Sequence, residues 1–272
     1  MKVILVTRFS FFGKSGWKSS ASRDPGELFA PERLDPRFEM FEKITLQSLA
    51  DQTHGDFEHL VISSTFMPEQ YQARLTEMCN DYLPTQARVI FRPQKYVGKV
   101  LDYYTRENYA DQDWIAQSVL DDDDAVSVDF VEACRFEAET VLGTPYANDP
   151  ISFISFPRGF TLGLRDGDEE PWLSQRYVPW TNLGLTIVKP PAHKKNLFNL
   201  SHLKAGIRFG SRLAGANRPF YLRTVHDHND SRARHGDRML DAAEIEQQFK
   251  YFPLLRSYFG GRAGKGLATA AE

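Results

Sequence analysis

Cysteine is scarce in this sequence. Cys79 and Cys134 are the only two, and they form neither a Cys-x-x-Cys pair nor an even framework of four or more. A disulfide-stapled scaffold is thereby excluded, and both residues read as buried free thiols on helices of a reduced, cytosolic protein. Long apolar runs are also missing. None reaches the roughly 18 residues of a membrane span, and the apolar start, MKVILVTRF, is too short for a secretory signal. A basic excess is absent too, with 33 Lys and Arg against 36 Asp and Glu, a net charge of −3, which argues against a dedicated nucleic-acid binder. There is no internal repeat, no Gly-x-Ser-x-Gly and no His-Glu-x-x-His. Gly13-Lys14-Ser15 resembles the end of a phosphate loop, but the glycine required five residues earlier is Arg8.

What is present is core-forming material. Hydrophobic residues make up 42% of the 272 residues and aromatics 13%, enough for one large α/β domain or two small fused ones. Periodicity predicts strands at 2–9, 57–62, 88–91 and 114–120, with helices at 37–51, 68–82, 97–109 and 127–139 between and after them. Residues 10–35, rich in Ser, Gly, Pro and Lys, read as a long loop. Alternation of this kind predicts a largely parallel sheet covered by helices, with ligands at the carboxyl ends of the strands. Beyond 140 the character changes. A strand pair turning at 157–159, strands at 182–189 and 219–226, and helical structure over 241–258 are expected. The Gly- and Ala-rich residues 260–272 read as a disordered tail.

Three features carry chemistry. Asp121, Asp122, Asp123 and Asp124 end the fourth predicted strand. Four adjacent carboxylates repel one another unless a cation or strong donors compensate. In an extended segment Asp121 and Asp123 point the same way, a two-carboxylate claw suited to Mg²⁺ or Mn²⁺ shared with substrate phosphates; a solvated acidic loop before a helix is the plainer reading. His226 and His228 end another predicted strand, where an imidazole could complete a carboxylate site and favour Mn²⁺ over Mg²⁺, or simply belong to a polar turn. Thirdly, no Asp or Glu occurs from Pro171 through His226, whereas Arg176, Lys189, Lys194, Lys195, Lys204, Arg208, Arg212, Arg218 and Arg223 do. Such a stretch could clamp a diphosphate, attract an anionic acceptor, or form a basic outer face. The aromatic C-terminal segment, with Phe249, Tyr251, Phe252, Leu254, Leu255, Tyr258 and Phe259 beside Lys250, Arg256 and Arg262, either packs on the core or docks on an anionic membrane.

These residues resemble a family. Gln47-Ser48-Leu49-Ala50-Asp51-Gln52-Thr53 followed by Phe57-Glu58-His59-Leu60-Val61-Ile62, then Tyr96-Val97-Gly98-Lys99, then Leu120-Asp121-Asp122-Asp123-Asp124-Ala125, are similar to successive motifs of family 2-type glycosyltransferases. Thr7-Arg8-Phe9, the segment from Arg37 to Phe41, and His226 with Asn229 and Ser231 resemble more closely the bacterial rhamnosyltransferase family, over about residues 3–232. The resemblance implies a GT-A fold, a Rossmann-like, mainly parallel sheet with a fused acceptor-side half. Residues 1–140 would bind the nucleotide sugar and 141–259 the acceptor, within one domain. Thr7, Arg8 and Ser63 would line the nucleotide pocket, with Lys99 at the Gly-Lys helix start. Asp121 would meet the ribose or a metal-bound water. Asp123, with Asp124 as a further ligand, would hold Mn²⁺ or Mg²⁺ on the donor diphosphate, and His226 would be a late ligand. The implied enzyme is a glycosyltransferase, using a nucleotide-diphosphate sugar such as rhamnose's and a glycan or lipid-linked acceptor of anionic character. It would be cytoplasmic, or peripheral to the inner face of the membrane.

One departure bears on the base. Many family 2 enzymes carry an acid well after the metal motif, where this chain has its acid-free run. Asp168 and Glu169, within the acidic stretch Asp166 to Glu170, are then the base candidates, with Asp227 or His202 as alternatives, or the reaction departs from the inverting type. Two other classes compete: a sugar nucleotidyltransferase, whose Gly-rich, Arg-containing loop Thr7-Arg8-Phe9-Ser10 lacks, and a non-catalytic nucleotide-sugar-binding protein.

Overall fold

The computed structural model describes residues 1–14, 24–143, 150–165, 167–168, 170–215, 217–227 and 238–260. It shows the expected mixed α/β architecture built around a parallel-rich sheet. Strand β1 (Lys2–Arg8) is an interior strand of that sheet, with Val3 to Val6 fully buried. β2 (Phe57–Ser64) and β4 (Ile115–Val119) pair with it in parallel on either side, and β3 (Ala87–Arg92) adds in parallel beyond β2. β9 (Thr186–Lys189) is antiparallel to β4 and to β6 (Ser152–Ser155), and β10 (Gly210–Leu213) closes the edge. The seven-stranded order is β10-β6-β9-β4-β1-β2-β3.

A second sheet has the order β12-β8-β7-β11-β5. Its strands are β5 (Ala125–Val126), β7 (Arg158–Gly163), β8 (Trp172–Tyr177), β11 (Tyr221–Val225) and β12 (Arg238–Met239). The chain passes from the large sheet to the small one three times, at β4 to β5, β6 to β7 and β10 to β11. The expected strand pair at 151–165 is therefore two strands of different sheets. The crossover is Phe156-Pro157, not a hairpin turn, and Arg158 and Gly159 already belong to β7.

The helices are α1 (Pro25–Leu28), α2 (Pro31–Met40), α3 (Gln47–Ala50), α4 (Glu69–Tyr82), α5 (Val97–Asn108), α6 (Phe130–Leu142), α7 (His202–Arg208), α8 (Ala242–Gln248) and α9 (Leu255–Phe259). α1 falls in the expected 10–35 loop, and α2 begins in it. Asp24 caps α1 by accepting from the Gly26 amide at 2.8 Å, and prolines open both α1 and α2, which composition alone disguised. Between α2 and α3 the helix widens to π-helical turns over Phe41–Leu46. The expected 241–258 helix is two short ones, with Pro253 between them. Phe252, Leu254, Leu255 and Phe259 are buried against Phe160, Leu162 and Leu173 of the small sheet, so this segment packs on the core. Among the described residues no helix is long and apolar enough to cross a membrane. Cys79 and Cys134 are buried free thiols, as expected. Residues 261–272, the greater part of the expected tail, lie outside the described residues.

Candidate donor site

The crossover from β4 to β5 is made of the four aspartates. β4 ends at Val119, and the quartet forms a turn closed by the Asp124 amide on the Asp121 carbonyl at 3.3 Å. The side chains still alternate: Asp122 and Asp124 are buried, while Asp121 and Asp123 are half-buried. Alternation thus survives in a turn and not, as expected, in a strand end.

Each carboxylate has a different surrounding. Asp122 receives a two-pronged bond from Arg37 of α2, Nε to Oδ2 at 3.0 Å and Nη2 to Oδ1 at 2.7 Å. Burial nonetheless pushes its pKa up to about 6, against the pull of Arg37. Asp124 accepts the Thr224 amide of β11 at 2.9 Å, and burial first, then the Asp123 charge, raises its pKa well above the usual carboxylate range. It is a strap to the small sheet and only 2% exposed, a poor position for the metal ligand expected of it. Burial works to raise the Asp123 pKa, but the His226 contact and the charges of Arg37 and Arg223 outweigh it and hold it low. Asp121 faces Arg8 at 3.7 Å.

The register of the small sheet explains why His226 arrives here. β11 runs antiparallel to β5, with Tyr221 opposite Val126 and Leu222 opposite Ala125. Continued past the start of β5 at Ala125, that register carries the far end of β11 along the aspartate turn. The Thr224 hydroxyl donates to the Asp123 carbonyl, and His226 Nε2 stands 3.2 Å from Asp123 Oδ2. Arg223 also belongs to this group: the charge of Asp124 is the main cause of its raised pKa. Behind the turn, the Thr45 hydroxyl of the π-helical segment donates to the Asp124 carbonyl at 2.9 Å and to the Asp121 carbonyl at 3.3 Å.

The expected nucleotide-pocket residues lie at the carboxyl ends of β1 and β2. Arg8 is 8% exposed, stacks on Phe198 at 4.8 Å, and has its pKa lowered by burial despite Asp121 and Asp122. Ser63 and the neighbouring Ser10 are fully buried, and among the described residues neither hydroxyl has a hydrogen-bond partner. Ser10 also takes a left-handed backbone, φ 42°, a conformation costly for a non-glycine residue. Unpaired buried hydroxyls beside a strained turn are costly, and both lie at the carboxyl ends of the strands. Thr7 differs: fully buried, it bonds the Leu120 carbonyl at 2.8 Å and the His59 ring at 3.0 Å, so it ties β1 to β4 and β2 beneath the site. Lys99 is not brought to the turn. It is exposed on the first turn of α5 and lines a cavity of about 690 Å³ with Lys14, Arg92 and Lys95.

The base candidates are carried by the loop that follows β7. β7 and β11 are parallel, with Gly163 beside Val225, and the Leu164 amide bonds the Val225 carbonyl at 2.8 Å. That loop therefore leaves the sheet at the His226 end. In it, Asp168 accepts the Trp172 indole N–H at 2.7 Å. Asp166, Glu169, His228, Asn229 and Ser231 lie outside the described residues. His202 is tied to the Trp180 carbonyl at 2.8 Å, and Asp227 is exposed.

Of the residues that hold the turn, sequence reasoning missed Thr45 and Thr224, and it named Arg37 and Arg223 without tying them to the aspartates. A signal existed for Arg37, a cation beside Phe38 on a helix face aimed at the core, in a protein with four carboxylates to neutralise. Among the described residues no three His, Cys, Asp or Glu side chains converge as a cage. A carboxylate and an imidazole 3.2 Å apart do fit a cation that takes its remaining ligands from phosphates and water.

An acidic turn at the carboxyl ends of parallel strands, backed by three arginines, defines a ligand-binding α/β protein of the layered kind. The chain belongs to the family described as "Putative rhamnosyl transferase", whose model matches residues 2–238. No curated protein matches it. Among solved structures, S. aureus TarS 1–349 in complex with UDP is similar at 15% identity, with 83% of this chain and 61% of that chain covered and a TM-score of 0.43. The chain thus spans less than two thirds of that structure. TarS 1–349 in complex with UDP-GlcNAc is similar at 12% identity, over 96% of this chain and 74% of that chain, with a TM-score of 0.44. A mannose-1-phosphate geranyltransferase from Thermus thermophilus is similar at 16% identity, over 83% of this chain and 74% of that chain, with a TM-score of 0.33.

Proposed function

We propose that this protein is a GT-A glycosyltransferase that moves a sugar, rhamnose by its family, from a nucleoside-diphosphate donor to a glycan or lipid-linked acceptor. The observation that carries this reading is the aspartate turn itself, with Asp121 facing Arg8 and Asp123 facing His226 where β1, β2 and β4 end. The orphaned hydroxyls of Ser10 and Ser63 supply donors and acceptors for the nucleoside, and Arg8 supplies positive charge to phosphate. Asp123 and His226 would hold Mn²⁺ or Mg²⁺ together with the diphosphate. Such a cation, when bound, offsets the charge of the departing nucleoside diphosphate.

In the reaction, the acceptor hydroxyl attacks the anomeric carbon as the bond to the diphosphate breaks. Asp168, on the loop at the His226 end, is the described acid we assign as the base that takes the hydroxyl proton in a single, inverting displacement. Its bond from Trp172 orients one oxygen and leaves the other for the acceptor. A thermal-shift screen of dTDP-, UDP- and GDP-sugars, with and without Mn²⁺, tests the donor assignment. A Mn²⁺-dependent rise in melting temperature with one nucleotide class is expected. A flat response to all three would sink it.

A further inference from the structure

At the opposite end of the small sheet from His226 lies a cavity of about 320 Å³. It is bounded by the start of β7, the end of β8, the entry to β11 and the turn after α8. Five cations line it, Arg158, Arg176, Arg218, Arg238 and Lys250, and among the described residues no carboxylate does. Arg218 and Arg238 each have one acidic partner, Asp129 and Glu244, but neither of these lines the cavity. Arg158, Arg176 and Arg218 are half-buried and Arg238 and Lys250 exposed, and so many like charges around one concavity give it a positive potential that favours an entering anion.

Other features of the wall suit a saccharide. Tyr177 and Tyr251 present rings, each already stacked with a cation, Arg158 at 5.7 Å and Lys250 at 4.8 Å. Gln175, Gln247 and Gln248 add amides that both donate and accept. The Nε of Arg176 is buried without a hydrogen-bond partner among the described residues, although the same guanidinium interacts with the Tyr221 hydroxyl.

We propose that this cavity is an anion-selective subsite for a phosphate- or carboxylate-bearing stretch of the acceptor glycan. The proposal rests on the glycosyltransferase reading for the word acceptor; the anion site stands on the cavity alone. β7 runs from the cavity at Arg158 to the candidate donor site at Gly163, about 17 Å at the usual rise of a strand. A single sugar cannot touch both places. The ligand is therefore a chain of several units whose charged part is held remotely while its terminal hydroxyl lies near Asp168.

The test is titration calorimetry on the full chain with three probes: trigalacturonate, inorganic pyrophosphate and neutral maltotriose. The variants are Lys250→Glu and the pair Arg158→Ala with Lys250→Ala. Melting temperature and binding of the nucleoside diphosphate serve as controls. Trigalacturonate, pyrophosphate or both should bind wild type, weaken with salt, and lose about tenfold or more in affinity in the variants, with maltotriose silent. Binding of trigalacturonate alone identifies a carboxylate glycan, and of pyrophosphate alone a phosphate-bearing one. No anion binding, or binding unchanged in both variants, overturns the proposal. Failure of wild type to bind any nucleoside diphosphate overturns the transferase reading instead and leaves the anion result standing.

Discussion

At the scale of single residues, the aspartate quartet divides into two jobs. Asp122 and Asp124 face inward and hold the turn to α2 and β11, whereas Asp121 and Asp123 face the strand ends. Removing Arg37 should therefore harm the fold. Arg37→Met leaves the Asp122 carboxylate buried and unpaired, and we expect a loss of about 3–5 kcal/mol in urea unfolding, largely recovered in the Arg37→Met, Asp122→Leu double variant. A loss below about 1 kcal/mol would show that the pair is not structural. His59 gives a pH signature. Burial lowers its pKa from 6.5 to about 3. The unfolded chain thus binds a proton that the folded one refuses between those values, so stability falls as pH falls. From about pH 6.5 to about pH 5 this one ring should cost about 2 kcal/mol. Urea midpoints at the two pH values check this, and His59→Gln should flatten the slope. The division of the quartet was only half legible in the sequence. Alternation picked out Asp121 and Asp123, but nothing in four identical letters says which of them meets an arginine. That depends on α2, more than 80 positions away in the chain.

At the scale of elements, the π-helical segment Phe41–Leu46 is the support of the site. Widened turns are frequent where a helix must aim a side chain, and here the Thr45 hydroxyl reaches two carbonyls of the aspartate turn. Thr45→Val keeps the shape and removes both bonds. The expected cost is about 1–2 kcal/mol of stability together with weaker nucleoside-diphosphate binding by calorimetry. A variant that binds the nucleotide as wild type does would mean that the turn keeps its form without this support. Strands and helices of the first 140 residues were readable because hydrophobic period and length agree in them, as in Val3 to Val6 or the helix 69–82. β8, β10, β12 and α7 were not. β10 is an exposed edge strand with little apolar alternation, and β12 has two residues, so neither leaves a period to detect. The crossover at Pro157 resembled a hairpin turn because local chemistry cannot say to which sheet the next strand returns.

At the scale of the whole molecule, the acid-free run from Pro171 to His226 is partly neutralised by the first half of the chain. Arg212 pairs with Glu137 and Arg218 with Asp129, while Arg223 faces the quartet. The run is therefore also a fastening between chain halves, a role that no one-dimensional count of charges reveals. Lys194 and Lys195 remain exposed on the loop after Pro190-Pro191. Lys194→Glu with Lys195→Glu should raise the KM for an anionic acceptor and flatten its salt dependence, while donor hydrolysis stays unchanged. A fall in donor affinity would place these lysines at the diphosphate instead. The central claim is that the aspartate turn with His226 serves transfer from a nucleoside-diphosphate sugar. Its most direct test is the rate of nucleoside-diphosphate release from the sugar donor in Mn²⁺ for wild type and Asp123→Ala. Wild type should turn over and be silenced by EDTA, and Asp123→Ala should be inactive at a melting temperature near that of wild type. Full, EDTA-resistant activity in folded Asp123→Ala would contradict the account.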